Sequence, residues 1–140
     1  LADYSLRASP DAVCKRAVEA YHEHQADRIV FEANQGGDTW CTIVNGIDPQ
    51  VATKNVHASR GKVSRAEPVS ARYEQGRCSH LTTARLDALE DQMVSYVPGI
   101  TKNSPDRLDA LVWAITELDS RRNREVIINP GENYAPQVFF

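Results

Sequence analysis

Ile29-Val30-Phe31-Glu32-Ala33-Asn34-Gln35-Gly36-Gly37-Asp38 joins a short apolar run to a polar turn that carries two glycines. Residues 28–33 are rich in β-branched and aromatic side chains, which is typical of a β-strand. Apolar side chains at helical spacing lie on both sides of this stretch. Because predicted strands alternate with predicted helices, we expect an α/β fold in which helices cover the faces of a sheet.

The first helix is predicted to begin at Ser9-Pro10-Asp11, with Ser9 as N-cap and Pro10 at the first helical position, and to run to about His24. After the turn at residues 34–38, we expect a short helix over 39–44 and a weak strand over 51–56. Ser64 with Glu67 forms a capping-box pattern for the next helix.

The second half of the chain follows the same alternation. The helix capped by Ser64 is predicted to end near Gln75-Gly76, since glycine suits a helix C-terminus. The further predicted elements are a short strand over 78–81, a helix marked by Leu86, Leu89, Met93 and Val97, a long helix from Ser104-Pro105-Asp106, and strand-like runs over 126–128 and 137–140.

Composition and charge exclude several classes of protein. The chain has 140 residues, of which 41% are hydrophobic and 25% charged, as in an ordinary globular domain. A net charge of −3 excludes a histone-like polycation. No apolar run is long enough to cross a membrane, and residues 1–5 do not resemble a signal peptide. Three widely spaced cysteines predict neither a disulfide framework nor a CxxC metal site. This favours a reducing, cytoplasmic location.

Three carboxylates are candidate metal ligands. Glu32 ends an apolar strand, where a buried carboxylate needs a partner or a metal; the alternative is that it faces solvent. Asp106 and Asp109 share one helix face, and the helix dipole alone could account for Asp106. If that helix packs on the strand, the three acids form a cluster suited to Mg²⁺ or Mn²⁺. Two such ions can promote phosphodiester cleavage.

A basic segment is the candidate DNA contact. No acidic residue occurs between Pro49 and Ala66. The cations in this segment are Lys54, Arg60, Lys62 and Arg65. Such residues bind phosphates, although a solvated surface is the commoner meaning of a charge run. Gly36 and Gly37, in the turn after the strand, would let a phosphate backbone approach closely.

Five segments in a fixed order resemble the C-terminal nuclease domain of the phage terminase large subunit. They are 32–38, 59–69, 73–77, 89–93 and 104–114. No single segment is specific, but the ordered set is, and the resemblance spans about residues 1–118. The tail after Arg121 lies outside it.

The resemblance implies an RNase H-like fold, a mixed sheet flanked by helices. It implies a metal-dependent endonuclease that cuts concatemeric phage or prophage DNA during packaging in the bacterial cytosol. Glu32 matches the family's acid at the end of the fourth strand, and Asp109, with Asp106 one turn away, matches the acid on the last helix. The implied partners are double-stranded DNA, the terminase small subunit and the portal, without a membrane; a homo-oligomer stays open.

One position departs from the family pattern. Leu1–Ser5 resembles the family's third strand. The family's first catalytic Asp lies on the first strand, which is upstream of that segment. We therefore expect an N-terminally truncated nuclease domain over 1–120 and a tail over 121–140 whose strand-like runs could pair into the sheet. The alternative is a catalytically inactive fragment that acts only in DNA or partner binding. A resolvase-like nuclease is a third reading, which the Asn34–Gly37 turn and the Arg65–Arg77 segment disfavour.

Overall fold

β1 (Ile29–Glu32) and β2 (Thr53–Val56) form a parallel pair in which Ile29 lies opposite Thr53 and Glu32 opposite Val56. The computed structural model describes residues 2–33, 37–101 and 104–128. Within them, helices accompany the strands; these are α1 (Pro10–Glu23), α2 (Gly37–Ile47), α3 (Lys62–Glu74), α4 (Asp87–Ser95) and α5 (Asp106–Ile128). The predicted α/β class is confirmed. None of the described helices combines the length and hydropathy of a membrane span.

The chain divides into two compact units. Of the described residues, the strand unit comprises those within Tyr4–Ser59 together with Ile127 and Ile128, and it contains α1, β1, α2 and β2. The helical unit comprises the described residues within Arg60–Val126 together with Ala2 and Asp3, and it contains α3, α4 and most of α5. The prediction of one domain that ends at residue 120 stays a prediction.

The core of the strand unit forms around β1, whose first three residues are buried. α2 connects the two parallel strands, as such strands require. The buried residues around β1 include Cys14 and Ala17 of α1 and Val44 of α2. The ring of Phe31 stacks on that of Trp40, with centroids 6.1 Å apart. This packing fixes the carboxyl end of β1, where Glu32 lies.

The elements of the strand unit lie close to their predicted positions. Ser9 caps α1 by accepting a hydrogen bond from the Ala12 amide, and Pro10 is the first helical residue, as predicted. α2 begins at Gly37, so Gly37 and Asp38 are helical rather than part of a turn, while residues 34–36 lie outside the described residues. Residues 2–8 have no regular secondary structure, in contrast to the third strand that the resemblance implied.

The core of the helical unit consists of Leu86, Leu89 and Leu111, with the side chains of Tyr73 and Met93 packed against it. α3 ends at its predicted place, where Gly76 adopts a φ of +67°. The Gly76 amide donates to the Tyr73 carbonyl and the Arg77 amide to the Arg72 carbonyl. These two bonds satisfy carbonyls that the helix end would otherwise leave unpaired.

Three predictions for the helical unit are wrong. α3 begins after Gly61, so Ser64 and Glu67 lie inside the helix and form no capping box. Residues 78–81 form no strand; His80 within them is held by side chains instead. α5 continues to Ile128, so the run over 126–128 is helical. The first helix-breaking residues after its start are Pro130 and Gly131, which explains the length. The run over 137–140 lies outside the described residues.

Candidate functional site

Asp109 is the candidate residue that the structure buries most deeply. It lies in the first turn of α5, where its amide donates to the carbonyl of Pro105 at 2.9 Å, and it is only 7% exposed. A buried carboxylate is costly unless it is hydrogen-bonded and paired with positive charge. The surroundings of Asp109 therefore determine what it can do.

Arg65 supplies the first of these charges. Its Nη2 donates to Asp109 Oδ1 at 2.7 Å, and the two side chains are 11% and 9% exposed. Nη1 donates to the carbonyl of Arg60 at 2.6 Å. The guanidinium also lies over the ring of Trp113, 4.9 Å from its centroid, which is cation–π geometry. Arg65 is thus held on several sides, and it fixes the orientation of the Asp109 carboxylate.

Lys62 supplies the second charge. Its Nζ lies 3.2 Å from Asp109 Oδ2 and donates to Ser104 Oγ at 3.0 Å, and its side chain is 40% exposed. Lys62 and Arg65 are three residues apart on α3, so both side chains extend from one face of that helix. Lys62 and Asp109 also line a small pocket together with Pro105 and Leu108. Each oxygen of Asp109 therefore has its own cation.

Asp106 occupies a different environment although it precedes Asp109 by less than one turn. It is exposed in the first turn of α5. A carboxylate is favoured there by the partial positive charge of the helix N-terminus. The structure thus agrees with the simpler reading of Asp106 as a helix-start residue, and its metal-binding role stays a prediction.

Glu32 lies in the strand unit, partly exposed at the carboxyl end of β1. Other polar side chains gather near this end of the strand pair. Asn55, opposite Phe31 on β2, donates from Nδ2 to Asp38 Oδ1 at 3.4 Å and accepts from Cys41 Sγ at 3.3 Å. Ligand sites of parallel α/β sheets occur at this edge. The expected position of Glu32 at a polar strand end is therefore observed.

The predicted site residues fall in both units. Glu32, Gly37 and Lys54 belong to the strand unit, whereas Arg60, Lys62, Arg65, Asp106 and Asp109 belong to the helical unit. Gly36 lies outside the described residues. Among the described residues of either unit, no three His, Cys, Asp or Glu side chains are grouped so that they could hold a metal ion. In the helical unit the structure brings together one acid and two bases, not a cluster of acids.

Sequence reasoning missed the ion pairs of Asp109. The basic segment predicts only a DNA contact for Lys62 and Arg65. Residues 65 and 109 are 44 positions apart, and no local pattern links them. The available signal was the absence of acidic residues on the first turn of α3, which leaves its two bases to find a partner elsewhere.

A second polar network was also missed. His80 lies between Tyr73 and Glu90, with Nε2 2.8 Å from the Tyr73 hydroxyl and Nδ1 2.8 Å from Glu90 Oε1. A carboxylate only accepts, so Nδ1 donates to Glu90, while Nε2 and the Tyr73 hydroxyl share the second hydrogen bond. Burial raises the pKa of Tyr73 to about 12, and the neighbouring Cys78 and Glu90 act in the same direction. Tyr73 therefore keeps its proton, and the network links α3 to α4.

Comparison with known proteins gives one match. The family model described as "Terminase RNaseH-like domain" matches residues 5–118. No curated protein and no solved structure matches the chain. The matched residues include every described candidate acid and base of both units.

Proposed function

Since the chain belongs to the terminase RNase H-like domain family, we propose that it is a metal-dependent DNA endonuclease that cuts concatemeric DNA during phage genome packaging. Family membership supports the coarser role of a terminase nuclease domain. Metal dependence and the DNA substrate are the finer parts of the proposal.

The buried Asp109 is the observation that carries the proposal. Its carboxylate is nine-tenths buried at the start of α5, and two cations from α3 engage its oxygens. An acid in such a position has to be compensated by positive charge. The resemblance implies that Asp109 corresponds to the family's metal-binding acid on the last helix, and its burial in the described structure supports a functional role for this residue.

The proposed metal ligands are three carboxylates, which the described residues of neither unit bring together as a group. Glu32, Asp106 and Asp109 offer carboxylate oxygens, which Mg²⁺ and Mn²⁺ prefer. One of these oxygens, Asp109 Oδ2, already lies 3.2 Å from the ammonium group of Lys62. When bound, such ions would activate a water molecule and stabilise the leaving oxygen of a phosphodiester. Arg65 would hold Asp109 in one orientation throughout.

The chain's own bases support double-stranded DNA as the substrate. Arg60 is exposed in the loop two residues before α3, and Lys54 is partly exposed on β2. Both can contact phosphates while Lys62 and Arg65 stay paired with the Asp109 carboxylate. The terminase small subunit and the portal are proposed partners through the family alone.

A binding-only role is the second candidate function. Both oxygens of Asp109 are engaged by cations, and the described residues of neither unit contain a group of three metal ligands. A chain of this kind would bind DNA or a terminase partner without cutting. The two candidates differ in whether the acids are needed for cleavage.

A plasmid-nicking assay with Mn²⁺ or Mg²⁺ tests the proposal. We expect the 140-residue chain to convert supercoiled plasmid to nicked and linear forms. Glu32→Gln and Asp109→Asn should each lower the rate by at least about 10-fold, since each removes a metal-ligand charge. Glu19→Gln, an exposed acid of α1, is the matched control and should cut at the normal rate.

Two results would contradict the endonuclease proposal. One is cleavage that persists unchanged in both acid variants or in excess chelator, which would point to a contaminant. The other is stable DNA binding without cleavage in either metal, which would favour the binding-only function.

A further inference from the structure

Three large apolar side chains are exposed at the end of α4 and in the turn that follows it. Val94 is 85% exposed and Ile100 is 74% exposed, and Val97, between them in the sequence, is exposed as well. None of the three belongs to the core of the helical unit. Single exposed apolar residues are common, but three of them within seven positions form a patch, and such patches mark interaction sites.

The turn after α4 holds part of this patch in a defined conformation. The Thr101 hydroxyl accepts from the Val97 amide at 2.8 Å and donates to the Ser95 carbonyl at 3.3 Å. The Val97 carbonyl accepts from the Ile100 amide at 3.1 Å. Gly99 has a φ of +77°, which glycine adopts without strain. Val97 and Ile100 are therefore exposed by a hydrogen-bonded turn.

Acidic residues extend the patch along the solvent-facing side of α4. Asp87, Asp91 and Val94 are separated by four and three positions, so they share one face of the helix. All three are exposed, whereas Leu89 is buried in the core of the helical unit. The apolar patch therefore continues into a row of carboxylates on the same helix face.

The charge of this surface is negative. Residues 86–101 contain three acids and no lysine or arginine. α4 also has no basic residue in its last turn to offset the partial negative charge of a helix C-terminus. Arg85, the nearest described arginine or lysine along the chain, precedes α4 at the end opposite Val94. A ligand that covers the apolar side chains should therefore bring positive charge.

We propose that the exposed face of α4 and the turn after it dock a basic amphipathic segment of a protein partner, in which Lys or Arg side chains flank large apolar ones. This α4 surface consists of Asp87, Glu90, Asp91, Val94, Val97 and Ile100. Its apolar side chains contribute most of the affinity, and its acids select and orient the partner. The inference is independent of the nuclease proposal, since neither Asp109 nor a metal takes part.

The negative charge favours this occupant over three others. Duplex DNA and an anionic lipid surface would both bring phosphates against the carboxylates and the helix C-terminus of α4. A second copy of the chain in two-fold contact would place the same acids opposite one another. A basic protein segment meets neither penalty.

Fluorescence anisotropy with a labelled synthetic peptide tests the docking. The probe is a peptide of about four helical turns, built from Leu and Lys at amphipathic spacing, and its control carries Glu in place of every Lys. We expect the 140-residue chain to bind the Lys peptide at least about 10-fold more tightly than the Glu peptide.

The apolar contribution is measured with Val94→Ser/Ile100→Ser. This variant should bind the Lys peptide about 10-fold more weakly, because two apolar side chains no longer leave water on binding. Leu6→Ser is the matched control, since Leu6 is also exposed but lies in the strand unit. It should change the affinity by less than about 2-fold.

The acidic contribution is measured with Asp87→Asn/Asp91→Asn, which keeps the shape of the surface. It should weaken binding about 5-fold and lower its dependence on salt. Asp11→Asn/Glu19→Gln is the matched control, because it removes two exposed acids of α1 and changes the net charge equally. It should change the affinity by less than about 2-fold.

Failure of the Lys peptide to bind, or equal binding of the two peptides, would overturn the inference. Unchanged affinity in both α4 variants, or an equal loss in their controls, would do so too. Loss of duplex-DNA affinity in Val94→Ser/Ile100→Ser would assign the surface to nucleic acid. Self-association in sedimentation that this variant abolishes would assign it to a second copy. Either result would reject the protein partner, and failure of plasmid cleavage leaves all these measurements intact.

Discussion

Asp109 and Arg65 form an ion pair whose energetics depend on burial. Their side chains are 9% and 11% exposed, whereas the pair of Arg72 and Asp119 on the same two helices is 25% and 28% exposed. Removal of one member of a buried pair leaves a charge without compensation in a poorly solvated place. At an exposed pair, water and salt compensate most of the loss.

Arg65→Met should therefore lower the free energy of unfolding by about 3 kcal/mol, because the buried Asp109 carboxylate loses the cation that is bonded to its Oδ1. Arg72→Met is the matched control and should lower it by about 1 kcal/mol or less. Urea unfolding followed by circular dichroism measures both. Equal losses in the two variants would show that burial does not separate these pairs.

Tyr73 predicts a dependence of stability on pH. Burial raises its pKa to about 12 in the folded chain, above the ordinary value near 10. Between these values the unfolded chain releases the tyrosine proton while the folded chain keeps it, so stability falls as the pH rises from about 10 to about 12. Below about pH 10 this contribution is fully present.

Tyr73→Phe isolates this contribution, since phenylalanine has no proton to release. The free energy of unfolding of the unchanged chain should fall relative to Tyr73→Phe on going from about pH 9 to about pH 12, as measured by urea unfolding. A constant difference across that range would mean that Tyr73 ionises equally in both states.

At the scale of the element, a glycine lies at each end of α3, and the two glycines act differently. Gly61 is the N-cap, with extended backbone and no side chain to accept a hydrogen bond. Gly76 follows the C-cap with a φ of +67°, a conformation that other residues adopt only with strain. The C-terminal end was predictable because its signal is a single residue. The N-terminal end was mispredicted because Ser64 and Glu67 match a capping box but lie inside the helix.

Serine substitutions at these glycines should have opposite effects. No atom lies within 4 Å of a Cβ placed at Gly61, so Gly61→Ser adds a capping hydroxyl and should stabilise the chain by about 0.5 kcal/mol. Gly76→Ser also meets no atom within 4 Å, but its positive φ should cost about 1 kcal/mol. Thermal unfolding measures both shifts. A gain at both positions would contradict the assigned helix ends.

At the scale of the whole molecule, the net charge of −3 does not show that the basic residues have different roles. Lys62 and Arg65 are engaged by Asp109, while the side chain of Arg60 is exposed. A base engaged by a carboxylate has less to offer a phosphate, because contact with DNA would require it to leave its partner. We therefore expect Arg60 to contribute more to DNA binding than Arg65.

Arg60→Ala should weaken binding to a DNA duplex and lower the magnitude of the salt dependence, d log K/d log[salt], by about 0.9, since one phosphate contact is lost. The Arg60 carbonyl, which accepts from Arg65, is kept in this variant. Arg77→Ala, at an exposed position three residues beyond the other end of α3, is the control and should leave the slope unchanged. Fluorescence anisotropy at several salt concentrations in chelator measures the slope. An unchanged slope in Arg60→Ala would remove this residue from the interface.

The sequence by itself determined the α/β class, the start of α1, the strand that ends at Glu32 and the five ordered segments that identify the family. These features depend on local spacing or on single residues such as Ser9 and Gly76, so they can be predicted from the sequence. Only the tertiary structure decided that Asp109 faces Lys62 and Arg65 and that Asp106 faces solvent. Helical spacing determines which side chains share a face, but the partner of that face comes from packing with a helix more than forty residues away.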